Sequence, residues 1–143
     1  MYTLKFNPGK EAEWNDPRLN LKIRAMVTDI LLFISSLYAG REIVVYITHI
    51  LRKKEQQDYF YGAGAPESVH EYWRGLDLVI IIDGKALEYA EYNIITNYLN
   101  SRWSYYGKQG CDSALVHEIK ATDGKKQGLH IHLQVGPKDP TVI

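Results

Sequence analysis

A single cysteine, Cys111, stands in a chain of 143 residues. No internal disulfide can form, and neither a disulfide scaffold nor a cysteine-built zinc knuckle is open to this sequence. No apolar run reaches the roughly 18 residues that span a bilayer, so no membrane partner is expected. A basic stretch followed by an apolar one is missing from the N-terminus, so no secretory signal is expected and the chain should be cytoplasmic when made. Net charge is missing too. Seventeen basic and seventeen acidic side chains cancel, without the basic excess of a polyanion binder, which argues against nucleic acid as a partner. Repeats, low-complexity tracts and linkers are also absent.

What remains is ordinary globular material. Hydrophobic residues make up 45% and charged residues 24%, enough to bury one core without staples and wrong for disorder. A single domain over residues 1–143 is expected, as a monomer. Eleven tyrosines and three tryptophans suit a cleft, where an amphipathic ring can pack on one side and hydrogen-bond on the other.

Along the chain the first strong element is a helix. Asp16 can cap it and Pro17 fits its first turn, where a missing N–H costs nothing. Ile23, Met26, Val27, Ile30, Leu31, Ile34 and Leu37 recur at spacings of three and four, one helical face, and Gly40 can end it. Glu42 to Thr48 is a β-branched run that reads as a buried strand. Residues 52–68 are polar and broken by Gly62, Gly64 and Pro66, which predicts a long loop of the kind that often carries function. Asp77 to Ile82 reads as a second strand, ended by the Asp83-Gly84 turn signal. Residues 85–102 read as a second helix with Leu87, Ala90, Ile94, Ile95 and Leu99 on one side. Ala114–Thr122 and Leu129–Val135 read as two strands joined by Asp123-Gly-Lys-Lys-Gln-Gly128. The expected class is α+β, an antiparallel sheet with helices packed on one face.

Two segments carry chemistry: Ser68-Val-His70-Glu-Tyr-Trp-Arg-Gly-Leu-Asp77, and Leu129-His130-Ile-His132-Leu133. On one helix His70 and Asp77 would be separated by about 10.5 Å of rise, too far to share an ion whose bonds are about 2.0–2.2 Å. A loop leading into a strand can fold back at Arg74-Gly75 and let the two converge. His130 and His132, two apart on a strand, point to the same face. Two histidines and an aspartate are three N/O ligands, and three protein ligands plus a water is the open arrangement of a catalytic zinc site.

Together the segments resemble the zinc peptidase superfamily that includes the D-Ala-D-Ala metallocarboxypeptidases, small phage endolysins and the hedgehog signalling domain. Its first motif runs Ser-x-His-x-x-Gly-x-Ala-x-Asp, matched in register by Ser68, His70 and Asp77. Its second is a His-x-His on a late strand, matched by His130 and His132. The resemblance extends to element order and spans about residues 17–136. It implies a hedgehog-like fold and a Zn2+ ion held by His70, Asp77 and His132. His130 would polarise the substrate or stabilise the transition state. A glutamate upstream would take the proton from the zinc water, and Glu118 is the candidate. Arg52, in Ile47-Thr-His-Ile-Leu-Arg52, would bind a substrate carboxylate or the developing oxyanion, with Gln57 assisting. His49 could also line the site.

Register decides whether Glu118 can serve. If Thr122 pairs with Leu129, Glu118 points away from His132 and His117 becomes the competitor. If Thr122 pairs with His130, Glu118 shares the histidine face. A six-residue turn leaves both open, and Asp123 is a further carboxylate in that turn. The chain departs from the motif twice: Trp73 stands for its glycine and Gly75 for its alanine. The function implied is hydrolysis of an amide bond in peptidoglycan stem peptides, as a carboxypeptidase or a phage-type endolysin acting on the cell wall after release. The alternative is a zinc-bearing binding or structural module of the same fold.

Overall fold

Strand pairing in the computed structural model, which describes residues 2–52, 68–120 and 126–142, builds one six-stranded sheet with three helices. The elements run β1 (Tyr2–Phe6), α1 (Lys10–Trp14), α2 (Leu21–Leu37), β2 (Ile43–His49), a 3-10 turn (Val69–Tyr72), β3 (Gly75–Ile82), β4 (Lys85–Ala86), α3 (Tyr89–Arg102), β5 (Ala114–Lys120) and β6 (Lys126–Gln134). Strand order is β1-β2-β3-β6-β5, with β4 beside β3. Most of the segment expected as a long loop, including Gln57, lies outside the described residues, as does Asp123.

The sheet is mixed, which corrects the expectation of an antiparallel one. Every pair is antiparallel except β1 with β2, which is parallel from Tyr2↔Ile43 to Phe6↔Ile47. A parallel neighbour requires a crossover, and α1 and α2 supply it. The first turn of α2 also differs from expectation. Asn20, whose side chain accepts from the Lys22 N–H at 2.8 Å, is the cap. Asp16 instead accepts from the Arg18 N–H and pairs with the Arg18 guanidinium. Leu37, at the other end of the helix, is exposed, as is Ile94 in α3.

Alternation along the strands sorts the sheet into two chemically different faces. Ile43, Val45 and Ile47 of β2 stand beside Ile82, Ile80 and Leu78 of β3. Leu76 and Leu78 continue that row to Leu133 and Ile131 of β6. These side chains join Ile23, Met26, Ile30 and Ile34 of α2 and Tyr92, Ile95 and Leu99 of α3 in one core. Asp29 binds the two helices further, accepting from the Tyr98 hydroxyl, Arg102 Nε and Trp103 Nε1 at 3.0, 2.7 and 2.9 Å. The opposite face receives Asp77, His130 and His132, the residues between the apolar ones.

The turn between β3 and β4 fits its sequence. Asp83 and Gly84 both have positive φ, 50° and 79°, as the tight hairpin signalled by Asp-Gly demands.

Candidate metal centre

Asp77 sits in the middle of the polar face because β3 is a central strand. It pairs directly with His49 on one side and with His132 on the other. The pairing with His49 depends on a register shift between Ile47 and His49. Unbroken alternation would send His49 to the core face with Ile47, so the bulge is what re-aims its ring. His70 arrives from the 3-10 turn. The chain folds back after it, as the Arg74-Gly75 reading required: the Arg74 N–H donates to the Val69 carbonyl at 3.1 Å.

Two glycine-like positions shape that turn. Trp73, standing where the motif has glycine, has φ 59°, a left-handed conformation that is an outlier for a bulky residue. The Asn20 N–H, at the start of α2, donates to its carbonyl at 3.0 Å, and the Arg18 guanidinium lies 4.6 Å from its ring centroid. Gly75 is in the ordinary region, but a Cβ on it would sit 2.6 Å from Val69 Cγ2 and 3.2 Å from His70 Nδ1. The close approach of β3 to the His70 turn therefore needs glycine there.

The chain has five histidines, and all five gather at this site. Asp77 Oδ1 lies 2.8 Å from His132 Nδ1 and 3.2 Å from His70 Nε2. Asp77 Oδ2 lies 3.5 Å from an Arg52 terminal nitrogen, 3.6 Å from His130 Nε2 and 3.7 Å from His49 Nδ1. The fifth, His117, stands with its ring centroid 5.8 Å from that of His130 and 5.7 Å from that of His132. Asp77, His70 and His130 are each 1% exposed, Arg52 2% and His132 8%.

Hydrogen bonding decides which ring nitrogens face inward. His70 Nδ1 lies 2.9 Å from the Ile50 carbonyl and His130 Nδ1 lies 2.7 Å from the Gly128 carbonyl. Carbonyls only accept, so those nitrogens carry the hydrogen and each ring presents a bare Nε2 to Asp77. His130 Nε2 is buried without a hydrogen-bond partner. Burial pushes His70 down from the usual histidine range, against the pull of Asp77, and so keeps it neutral. Burial works to raise the Asp77 carboxyl, but once the imidazoles of His70 and His132 are protonated their charge and hydrogen bonds outweigh it and hold the group well below its usual range. Burial likewise drives His49 down to about 4, with Asp77 opposing. His117 is lowered by burial and by His132 and His130.

Neutral nitrogens with lone pairs turned toward a carboxylate repel it unless a cation or a proton lies between. Among the described residues, one group of ligand atoms is arranged to take a cation: His70, Asp77 and His132, all within 4.8 Å of one another. A tetrahedral ion with bonds of about 2.0–2.2 Å holds its ligands about 3.3–3.6 Å apart, close to the spacing found between His70 and Asp77. The histidine N–H to carbonyl contacts behind His70 and His130 are the outer support that ligating imidazoles use. This group could hold a metal ion.

Comparison with known proteins returned no match, whether to family models, curated proteins or solved structures. The site must therefore be read from its own chemistry.

The other expected site residues divide. His130 and Arg52 lie at Asp77. Thr122, on which both expected pairings turned, lies outside the described residues, but His117 opposes His130 and Leu115 opposes His132, so neither register expected for Glu118, facing Leu133 or Gln134, is present. That register gives the histidine face to His117. Glu118 is exposed and lies at the second register shift, between His117 and Ile119. It is not in the converging ligand group. His49 and His117 were weakly marked in the sequence, because only a bulge and a register bring them in.

Proposed function

We propose that this chain is a zinc-dependent peptidase that hydrolyses an amide bond in peptidoglycan stem peptides, within the D-Ala-D-Ala-peptidase and hedgehog-like superfamily its motifs resemble. The observation that carries the metal reading is the convergence of bare imidazole nitrogens on one buried carboxylate. His70, Asp77 and His132 would hold the ion. Two nitrogens and an oxygen favour zinc over calcium or magnesium, which take oxygen ligands. When bound, zinc polarises a carbonyl and lowers the pKa of a coordinated water to about 7.

The remaining side chains supply proton and charge handling. Arg52 is a buried guanidinium beside Asp77 and is suited to a substrate carboxylate or a developing oxyanion. His130 has a bare Nε2 that can accept a proton and then donate it to the departing amine. His117 stands opposite it at the open edge, so we assign proton exchange with solvent to that pair rather than to Glu118.

One observation favours a second reading, a zinc-bearing module without hydrolysis: among the described residues, Asp77 is the only carboxylate in the converging group. Incubating zinc-loaded protein with purified peptidoglycan, and identifying the fragments by mass spectrometry, separates the two. New amine and carboxylate termini at one bond of the stem peptide support the peptidase. An unchanged wall in the presence of bound zinc supports the module.

A further inference from the structure

His132 is held differently from the other two inward-facing histidines. His70 and His130 are each anchored through Nδ1 on a backbone carbonyl. His132 is anchored through Nε2 on a side chain, with Gln134 Oε1 at 3.2 Å. It therefore turns the opposite nitrogen, Nδ1, toward Asp77. Main-chain anchors are set by the fold, whereas this one is set by the identity of a single residue.

Gln134 lies two positions from His132 on β6, so the two side chains share a face. A carboxamide has one donating end and one accepting end. Gln134 Nε2 donates to the Asp112 carbonyl at 2.8 Å. That carbonyl cannot donate, so the amide cannot reverse without setting two oxygens against each other. Its oxygen is thereby directed at His132, and the contact requires the hydrogen to sit on Nε2 of the ring. Nδ1 is left available at 2.8 Å from Asp77 Oδ1. The Gln134 backbone N–H also bonds the Ser113 carbonyl at 2.9 Å, and Gln134 pairs with Gly75 across β3, so its base is fixed from both neighbouring strands.

We infer that Gln134 is a positioning residue for the metal centre, acting through the Asp112 carbonyl to make Nδ1 the ligating atom of His132. It does not touch the ion. Its effect is to hold the ring orientation and the protonated nitrogen that ligation through Nδ1 requires, as outer partners of ligating histidines do. The inference rests on the metal reading proposed above, and its test has one arm independent of that reading.

The test compares the wild type with Gln134→Leu and Gln134→Glu. Leucine keeps the bulk and removes the acceptor; glutamate keeps an acceptor for Nε2–H. Zinc affinity is measured by competition with a chromophoric chelator, and the His132 ring nitrogens are followed by 1H–15N NMR in metal-free protein. Gln134→Leu should weaken zinc about 10–100-fold, with the melting temperature of the metal-free protein little changed. Gln134→Glu keeps the acceptor for Nε2–H but sets its second oxygen against the Asp112 carbonyl, so it should recover only part of the affinity that Gln134→Leu loses. The metal-free wild type should show a slowly exchanging Nε2–H at His132 that Gln134→Leu loses. Equal zinc affinity in wild type and Gln134→Leu, or an Nε2–H signal that survives in Gln134→Leu, overturns the inference. Failure of the wild type itself to bind zinc overturns the metal reading, while the ring-nitrogen comparison still decides what Gln134 does.

Discussion

His132 Nδ1 and Asp77 Oδ1 lie 2.8 Å apart across directly paired residues of β6 and β3. Because the two strands are hydrogen-bonded neighbours, this separation is set by the sheet and not by a loop. His70 then needs only the short 3-10 turn to complete the group. A site with two of three members on a sheet is preorganised.

Purified protein should take up one zinc per chain, as read by elemental analysis. At free zinc 100-fold above its dissociation constant, binding stabilises the native state by about 2.7 kcal/mol. For a chain of this size that raises Tm by roughly 10 °C. Asp77→Asn and His132→Ala should each abolish the zinc-dependent rise. A His132→Ala protein that still gains the full increment would remove that residue from the ligand set.

Gly75→Ala should damage the site without touching a ligand. The added Cβ meets Val69 Cγ2 at 2.6 Å and His70 Nδ1 at 3.2 Å, so the His70 turn must move. A displacement of this kind should weaken zinc at least tenfold in chelator competition. Adding Val69→Ala removes the nearest clash and should recover much of the loss. Failure of the double variant to bind better than Gly75→Ala would show that Val69 is not the obstacle.

Trp73 gives a clean comparison of two truncations. Both Trp73→Gly and Trp73→Ala lose the ring, its packing on the core and its contact with Arg18. Only glycine accepts the φ of 59° without penalty, and the left-handed conformation costs other residues about 1–2 kcal/mol. Denaturant unfolding should therefore rank Trp73→Gly about 1 kcal/mol above Trp73→Ala. The reverse order would mean that the turn relaxes once the ring is gone.

Metal-free protein should be labile to mild acid. His49 titrates near 4 in the folded state, and burial depresses His70 and His117 as well. The unfolded chain, with ordinary histidines near 6.5, binds these protons first as pH falls. Stability is therefore complete above about pH 6.5 and declines from there toward pH 4. His49→Gln should flatten part of that decline in urea titrations run at successive pH values; an unaltered profile would show that His49 does not contribute.

Should the chain hydrolyse peptidoglycan, His117→Ala should lower kcat by about 10²–10⁴, the range of a general acid–base group, with zinc content unchanged. Glu118→Gln should leave the rate within a few-fold. The opposite result in a stem-peptide assay would return the role to Glu118.

Much of this was legible in the residues. The β-branched runs of β2 and β3 and the helical stripe of α2 announced themselves, because each buries a continuous apolar face. His70, Asp77, His130 and His132 stood out as a spaced pattern. β1 did not, because an edge strand that is mostly exposed, as Tyr2–Phe6 is, has little need of apolar alternation. Asn20 was outcompeted by Asp16-Pro17 as a cap signal; its position is instead secured by tertiary contacts with Thr141 and with the Trp73 carbonyl. Register was the deepest gap. The connection between β5 and β6 does not dictate pairing, and both bulges, beside His49 and at Glu118, are local insertions with no composition of their own. The bulge beside His49 and the register of β5 against β6 decide which side chains join the site.

The division of the sheet into an apolar side under the helices and a histidine side bearing Asp77 has an evolutionary consequence. Substitutions that retune the reactive surface leave the hydrophobic packing alone, and drift within the packing leaves the imidazoles in place. Such a scaffold can exchange one chemistry for another while continuing to fold, with Leu115, directly opposite His132 on β5, as a position free to explore.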